Sequence, residues 1–182
     1  MAEVTVKAFV LARLLELARD GLSADSFAKL EADVGLTLKS VKLAFFKAHP
    51  VSVQNKLEDN IAKALWNRTD DQAFHQFGKM NFDTFATSTI GKATIAMTGR
   101  NPRRFMKASI RLMSTVMTGM KIEITDLGER KFSFRFFNNP YRPLGWQGII
   151  DAAMEHCGVT HTVRTILHGG EDTEYIIQWE ME

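Results

Sequence analysis

Apolar side chains recur every three or four residues through the first two thirds of the chain. This spacing is typical of amphipathic helices, which bury one face. In the first segment Val10, Leu14 and Leu17 form such a face, and Gly21 stands where the helix is expected to end. The same pattern predicts further helices at about 23–35, 39–47, 51–66, 70–97 and 102–118.

The clearest boundary between two of these helices lies at residues 98–102. Gly99 is expected to end one helix because glycine tolerates the backbone conformation of a helix C-terminus. Asn101 can cap the next helix with its side chain, and Pro102 suits the first helical position because it has no N–H to leave unpaired. The sequence therefore predicts a helix that begins at Pro102.

After Gly119 the period of the apolar positions changes from helical to alternating. Phe132, Phe134 and Phe136 alternate with polar residues, which is typical of a strand with one buried face. The pattern predicts two hairpins, at about 120–137 and 163–179, with a helix at 145–157 between them. We therefore predict one α+β domain over residues 1–182: an N-terminal helical layer, 1–118, followed by a four-stranded antiparallel ββαββ sheet, 119–182.

Composition places the chain among folded proteins without disulfides. Its residues are 45% hydrophobic, the net charge is +2 and there is one cysteine. No run of about 18 uncharged apolar residues is present, so no membrane span is predicted. Charged residues such as Arg13 and Glu16 interrupt the apolar N-terminal stretch, which no secretory signal would tolerate, so a cytoplasmic location is expected.

The usual catalytic signatures are missing from the sequence. It contains no nucleophile elbow, no His-Glu-x-x-His zinc motif, no phosphate-binding loop and no dinucleotide fingerprint. The five histidines do not cluster at the spacing of metal ligands. We therefore predict that the protein is not an enzyme and has no cofactor and no metal site.

His75 is the histidine with two open interpretations. It lies on the phenylalanine-rich segment that also carries Phe82. A half-buried packing histidine would look like this, and so would an axial haem ligand.

Basic side chains occupy one side of the predicted helix 102–118. Residues 88–142 carry 11 basic and 3 acidic side chains. A solvated helix exterior has this spacing, and so does a surface that contacts phosphates. The alternative hypothesis is therefore a nucleic-acid-binding regulator that uses Arg103, Arg104, Lys107 and Arg111.

Phenylalanine and methionine are concentrated on the predicted helix and strand faces that point inward. Methionine is flexible and fills irregular spaces, and an apolar ligand pocket is built from such side chains. The same residues could be ordinary core. The candidate pocket residues are Phe82, Phe85, Met113, Phe134 and Trp146.

Four stretches of the sequence resemble an uncharacterised bacterial family that is expanded in myxobacteria and occurs in sensory contexts. They are Thr98–Phe105, Met120–Phe137, Trp146–Glu155 and Thr173–Trp179. More remotely, the chain is similar to the superfamily of 4-vinyl reductase domains, haem-NO-binding domains and TRAPP components. Cys157 is the only cysteine, so the cysteine-rich metal site of some 4-vinyl reductase domains is missing, as is the Tyr-x-Ser-x-Arg signature of the haem-NO sensors.

This resemblance implies a fold and a general class of function. Members of the superfamily place an antiparallel ββαββ-type sheet against several helices, and they bind small apolar ligands or form dimers. We therefore expect a sensory or scaffold domain that holds an apolar small molecule or a protein partner between helices and sheet. A homodimer is a further possibility, because an exposed edge strand offers unpaired backbone groups.

Overall fold

The computed structural model describes residues 3–180. In this part of the chain the helices are α1 (Ala8–Gly21), α2 (Ala24–Val34), α3 (Leu38–Leu43), α4 (Val51–Trp66), α5 (Asp71–Thr87), α6 (Thr89–Thr98), α7 (Pro102–Val116) and α8 (Pro143–Cys157). The strands are β1 (Thr5–Lys7), β2 (Ala48–Pro50), β3 (Met117–Thr118), β4 (Lys121–Gly128), β5 (Lys131–Phe137), β6 (Thr160–Leu167) and β7 (Thr173–Glu180).

The predicted boundary before α7 is confirmed. Gly99 follows the last residue of α6 with a positive φ of 59°. The Asn101 side chain accepts a hydrogen bond from the Arg104 backbone N–H at 2.9 Å, and Pro102 occupies the first turn. The local sequence therefore sets the start of α7, as its capping residues predict.

The prediction of a single long helix at 70–97 is wrong, because the helix is interrupted at Ser88. The Ser88 backbone is extended, with φ −70° and ψ 160°, and its hydroxyl accepts the Gly91 N–H at 3.0 Å. A Cβ atom added to Gly91 would lie only 1.8 Å from the Phe85 carbonyl oxygen. Ser88 thus caps α6, and the glycine allows α6 to begin directly against the end of α5.

Three short strands were not predicted from the alternation of apolar residues. β1, with three residues, pairs with β2 and β3 in a small antiparallel sheet of order β2-β1-β3. The helix expected to run to Lys47 ends at Leu43; residues 44–46 form a turn instead, and β2 follows at Ala48. Segments of two or three residues are too short to show a period of two.

The larger sheet confirms the predicted α+β class and the ββαββ order. Its strands run in the order β4-β5-β7-β6, and every neighbouring pair is antiparallel. Phe134 of β5 lies opposite Tyr175 of β7, and both are almost fully buried. One face of the two central strands is apolar and aromatic: Phe132, Phe134, Phe136, Tyr175, Ile177 and Trp179.

Two apolar clusters make up the core of the described chain. The first packs residues of α5, α7 and α8 against the larger sheet. The second joins α1 to α2, α3 and α4 and includes Phe77 of α5. The expectation that residues 1–182 form one domain stays a prediction.

Helices α5 and α8 cross at glycines. Cβ atoms added to Gly78 and Gly148 would lie 2.1 Å from the Gly145 carbonyl oxygen and 2.0 Å from the His75 carbonyl oxygen, respectively. Real Cβ atoms do not approach a backbone oxygen so closely, so the two helices are in direct backbone contact. This contact fixes the position of α8 between the helical layer and the sheet.

None of the helices within residues 3–180 combines the length and the apolar character that crossing a bilayer requires.

Candidate functional site

The five predicted pocket residues belong to one apolar cluster, which lies under the larger sheet. Phe82, Phe134 and Trp146 are buried in it, and Phe85 and Met113 are half-buried against it. The rings of Phe82 and Phe85 are 6.3 Å apart between centroids. The structure therefore brings these residues into one region, and their role in a pocket stays a prediction.

Little space is left where helix α7 meets the larger sheet. A cavity of about 10 Å³ lies there. It is lined by the apolar side chains of Met106, Ile124, Phe132 and Phe134 and by the charged residues Arg103, Lys107 and Asp126. This volume holds about one water molecule, whereas ligand pockets measure roughly 300–1,000 Å³. An apolar ligand at this interface would therefore require side chains to move.

The cluster has an apolar rim that is only half-covered. Met113, in the C-terminal half of α7, packs against the cluster without being buried, as does Met117, the first residue of β3. The same holds for Ile122 and Ile124 of β4. In contrast, the buried residues of α7 all lie in its first turns: Pro102, Phe105 and Met106. The C-terminal half of α7 is thus packed less tightly against the cluster than its N-terminal half.

The basic residues of α7 divide into two groups. Arg103 donates hydrogen bonds to Asp126 at 2.5 Å, to the Glu129 carbonyl at 2.7 Å and to the Gly128 carbonyl. Arg104, Lys107 and Arg111 are exposed. Arg103 therefore anchors the β4–β5 turn to α7, and the nucleic-acid interpretation of the other three stays a prediction.

A cleft of about 430 Å³ opens at the N-terminal end of α7. Three separate loops and the end of β7 form it. Its walls are Arg100, Asn101, Pro102, Arg103, Glu129, Arg130, Cys157, Gly158, Val159 and Trp179. A site that joins Arg100, Arg130 and Trp179 is not predicted from the sequence, since nothing in their spacing indicates that they meet.

Cys157 lies in this cleft but is not a reactive thiol. It is free and buried, and burial raises its thiol pKa to about 11, although the Arg100 charge opposes that shift. Because the thiolate is the nucleophilic form, the side chain is inert near neutral pH.

A buried polar network links α4 to the segment before α8. The Tyr141 hydroxyl donates to the Gln54 side-chain oxygen at 3.0 Å, and the Gln54 amide donates to Glu58 at 2.7 Å. The pKa of Glu58 is raised to about 7, mainly by burial; the Gln54 hydrogen bond opposes this shift, and the negative charge of Asp59 adds to it. Burial also raises the pKa of Tyr141 above its ordinary value, with the Glu58 charge as the second cause.

Replacement Glu58→Gln is expected to stabilise the protein at high pH only. A carboxyl whose pKa is raised by folding contributes its full stability below the unfolded value of 4.5 and loses it as the pH rises through about 7. Glutamine keeps an oxygen that can accept the Gln54 hydrogen bond and carries no charge. We expect a gain of about 2 kcal/mol in the free energy of unfolding at pH 8.5 and almost none at pH 4.5.

Urea denaturation at the two pH values measures this difference. Asp33→Asn is the matched control, since Asp33 is exposed on α2 and loses the same charge. An equal gain in both variants at pH 8.5 would contradict the burial of Glu58 as the cause.

His75 is held by a carboxylate that it shares with a second histidine. Its Nε2 lies 2.6 Å from Oδ2 of Asp151, and Nε2 of His161 lies 3.0 Å from Oδ1 of the same side chain. The three residues join α5, α8 and β6. Within residues 3–180 no group of three or more His, Cys, Asp or Glu side chains is arranged to hold a metal ion.

The chain belongs to a family described as a protein of unknown function, DUF2378, whose model matches residues 10–180. No curated protein matches the chain.

Solved structures of H-NOX proteins have the same fold. The chain is similar to the unliganded Fe(II) H-NOX protein from K. algicida, with a TM-score of 0.67 and 14% identity over 97% of both chains. It is also similar to a point mutant of the T. Tengcongensis H-NOX, with a TM-score of 0.72 and 12% identity over 95% of this chain and 96% of that one. A third similar structure is entitled "Probing the function of heme distortion in the H-NOX family". Its TM-score is 0.70, with 12% identity over 96% of this chain and 95% of that one.

The residues of this chain do not fit a haem. Four of its histidines are engaged: His75 and His161 with Asp151, His168 with Glu174, and His156 against the rings of Phe82 and Phe105. His49 has a buried Nε2 without a hydrogen-bond partner, but it lies opposite Val6 in the small sheet. The cavity of about 10 Å³ at the interface of α7 with the larger sheet is far too small for a macrocycle.

The apolar cluster under the larger sheet, with Phe82, Phe134 and Trp146, is called the aromatic cluster below. The polar side chains of β5 point away from it. Ser133 and Arg135 have the spacing of the last two residues of Tyr-x-Ser-x-Arg, with Lys131 in place of the tyrosine. Ser133 donates to Glu174 at 2.5 Å, and Arg135 lies 3.5 Å from Asp172. Because side chains alternate along a strand, this face is opposite to the one that carries Phe134.

Proposed function

We propose that this chain is a non-enzymatic sensory domain that binds an apolar small molecule between its helical layer and its larger sheet. The observation that carries the proposal is the aromatic cluster under the sheet together with its half-covered rim at the end of α7. Similarity of fold to the H-NOX proteins over almost the whole chain supports the sensory class. The candidate contacts are Phe82, Phe85, Met113, Phe134 and Trp146.

Access to the cluster would come from the side of α6 and α7. Helix α6 buries only Gly91 and Thr98, and its Ile90 and Met97 are 53% and 82% exposed. Helices with few buried side chains separate from their neighbours at low free-energy cost. Methionine adapts its shape to what it contacts, so Met113 suits a wall that moves to admit a ligand.

The proposed ligand is an apolar molecule other than haem. Its recognition needs only the aromatic and methionine side chains, and no axial ligand. The proposal also includes a cytoplasmic location, and it includes a homodimer or another protein partner as the receiver of the signal.

Native mass spectrometry of the freshly purified protein tests whether a molecule is carried. We expect an added mass that denaturation releases, and an absorption spectrum from 300 to 700 nm without a Soret band. A Soret band would overturn the conclusion that the residues do not fit a haem.

Neutral N-phenyl-1-naphthylamine tests the location of the site, because its fluorescence rises in apolar surroundings. Met113→Gln is expected to weaken its binding about fivefold to tenfold, since a buried amide without partners is costly. Met97→Gln is the matched control, because Met97 is exposed on the neighbouring helix. A protein without carried mass whose two variants bind the dye equally would contradict the proposal.

A further inference from the structure

The cleft at the N-terminal end of α7 combines positive charge with apolar surface. Three of its wall residues are arginines, Arg100, Arg103 and Arg130, and only Glu129 is acidic. The volume of about 430 Å³ lies within the range of small-molecule sites. None of the five candidate pocket residues lines this cleft, although its walls Cys157 and Trp179 also belong to the aromatic cluster.

Two of the three arginines are available to a ligand. Arg103 is committed to Asp126 and to the carbonyls of the β4–β5 turn. Within residues 3–180, Arg100 and Arg130 have neither a hydrogen bond nor an ion pair from their side chains. Both are exposed, so their charges face solvent at the cleft.

Both arginines line the cleft, and each lies next to a different wall of it. Arg100 extends to the α8–β6 loop, where its Nη1 lies 3.9 Å from the Cβ position of Gly158. Arg130 is next to the floor of the cleft, because its carbonyl accepts the Trp179 N–H at 3.1 Å. The N-terminal end of the 15-residue helix α7 adds partial positive charge on the same side.

Apart from Asn101, whose side-chain oxygen caps α7, the remaining walls of the cleft carry no polar side chain. Trp179, Val159 and Pro102 contribute apolar surface, and Cys157 is a neutral thiol at pH 7. Guanidinium groups recognise carboxylate and phosphate oxygens through paired hydrogen bonds. An apolar floor beside such groups favours a ligand with a hydrophobic body next to its charge.

We propose that this cleft binds a small molecule that carries an oxyanion, a phosphate or a carboxylate, on an apolar body. Arg100 and Arg130 hold the oxyanion, and the apolar body lies against Trp179 and Val159.

Calorimetric titration of the full chain with 1-naphthyl phosphate and with 1-naphthoate tests this site and separates the two oxyanions. We expect measurable binding of at least one of them, and binding of the neutral analogue 1-naphthol more than tenfold weaker. If only the phosphate binds, the ligand is a phosphate ester; if only 1-naphthoate binds, it is a carboxylic acid.

Single variants identify the residues responsible. Arg100→Gln and Arg130→Gln are each expected to weaken binding about tenfold. Arg104→Gln is the matched control, because Arg104 is exposed on the first turn of α7 but does not line the cleft. We expect its affinity to stay within twofold of the unsubstituted protein, and thermal unfolding checks that all three variants fold.

Three results would overturn the proposal. The first is no binding of either anion at 1 mM. The second is equal affinity for 1-naphthol, which would show that the charge is not recognised. The third is an equal loss in Arg104→Gln, which would show that the whole basic helix attracts anions, as the nucleic-acid hypothesis requires.

Discussion

Replacement Gly78→Ala is expected to lower the free energy of unfolding by about 3 kcal/mol. The new methyl group would lie 2.1 Å from the Gly145 carbonyl oxygen, so α5 and α8 would have to separate. The clash is with backbone, which cannot change rotamer to relieve it. Since α8 packs on the sheet as well, its displacement would also disturb the aromatic cluster.

Urea denaturation monitored by circular dichroism measures this loss. Gly145→Ala is the matched control on the same helix pair, because its nearest neighbour, the Phe74 carbonyl oxygen, is 3.9 Å from the added Cβ. We expect that variant to be neutral or to gain up to about 1 kcal/mol, since alanine favours helix more than glycine does. Similar losses at the two positions would contradict the direct backbone contact of α5 with α8.

Replacement Phe134→Ala is expected to lower the free energy of unfolding by about 3–5 kcal/mol. Phe134 is 1% exposed, and its ring packs 4.8 Å from that of Phe132 between centroids. Removing the ring would leave a cavity beside Tyr175 that the surrounding strands cannot fill. The size of the loss therefore reports how tightly the interior is packed without a ligand.

Phe137→Ala is the control on the same strand. Phe137 is half-buried, with Arg135 and Lys121 lying over its ring, so we expect a loss of about 1 kcal/mol. A loss of similar size for Phe134→Ala would contradict the close packing of the cluster and would indicate open space there. Such a result would strengthen the case for an apolar pocket.

Capping residues, glycines and the alternation of apolar residues were sufficient to predict the helix ends and the strand faces that they determine. Asn101 and Gly99 mark helix ends in the structure, as predicted. Ser23, Gly35 and Gly158 do so at the ends of the helices predicted at 23–35 and 145–157. The alternating phenylalanines of β5 place one face of the sheet inward. Ser88 is also a capping residue, but apolar residues continue on both sides of it, so periodicity alone could not show the break between α5 and α6.

The sites depend on contacts between distant parts of the chain. The phenylalanine and methionine pattern indicated the aromatic cluster, because burial follows from hydrophobicity. It could not show that the cluster is nearly filled. The cleft joins residues near 100, 130, 158 and 179, and no spacing in a single sequence reveals that four such segments meet.

Helix α7 touches both proposed sites. Its first residues line the charged cleft, and Met113, about three turns later, borders the aromatic cluster. A helix moves as a nearly rigid rod, so a ligand that tilts one end displaces the other. The coupling between two ligands bound along one helix is reciprocal. If the anion raises the affinity for the apolar molecule by some factor, the apolar molecule raises the affinity for the anion by that same factor.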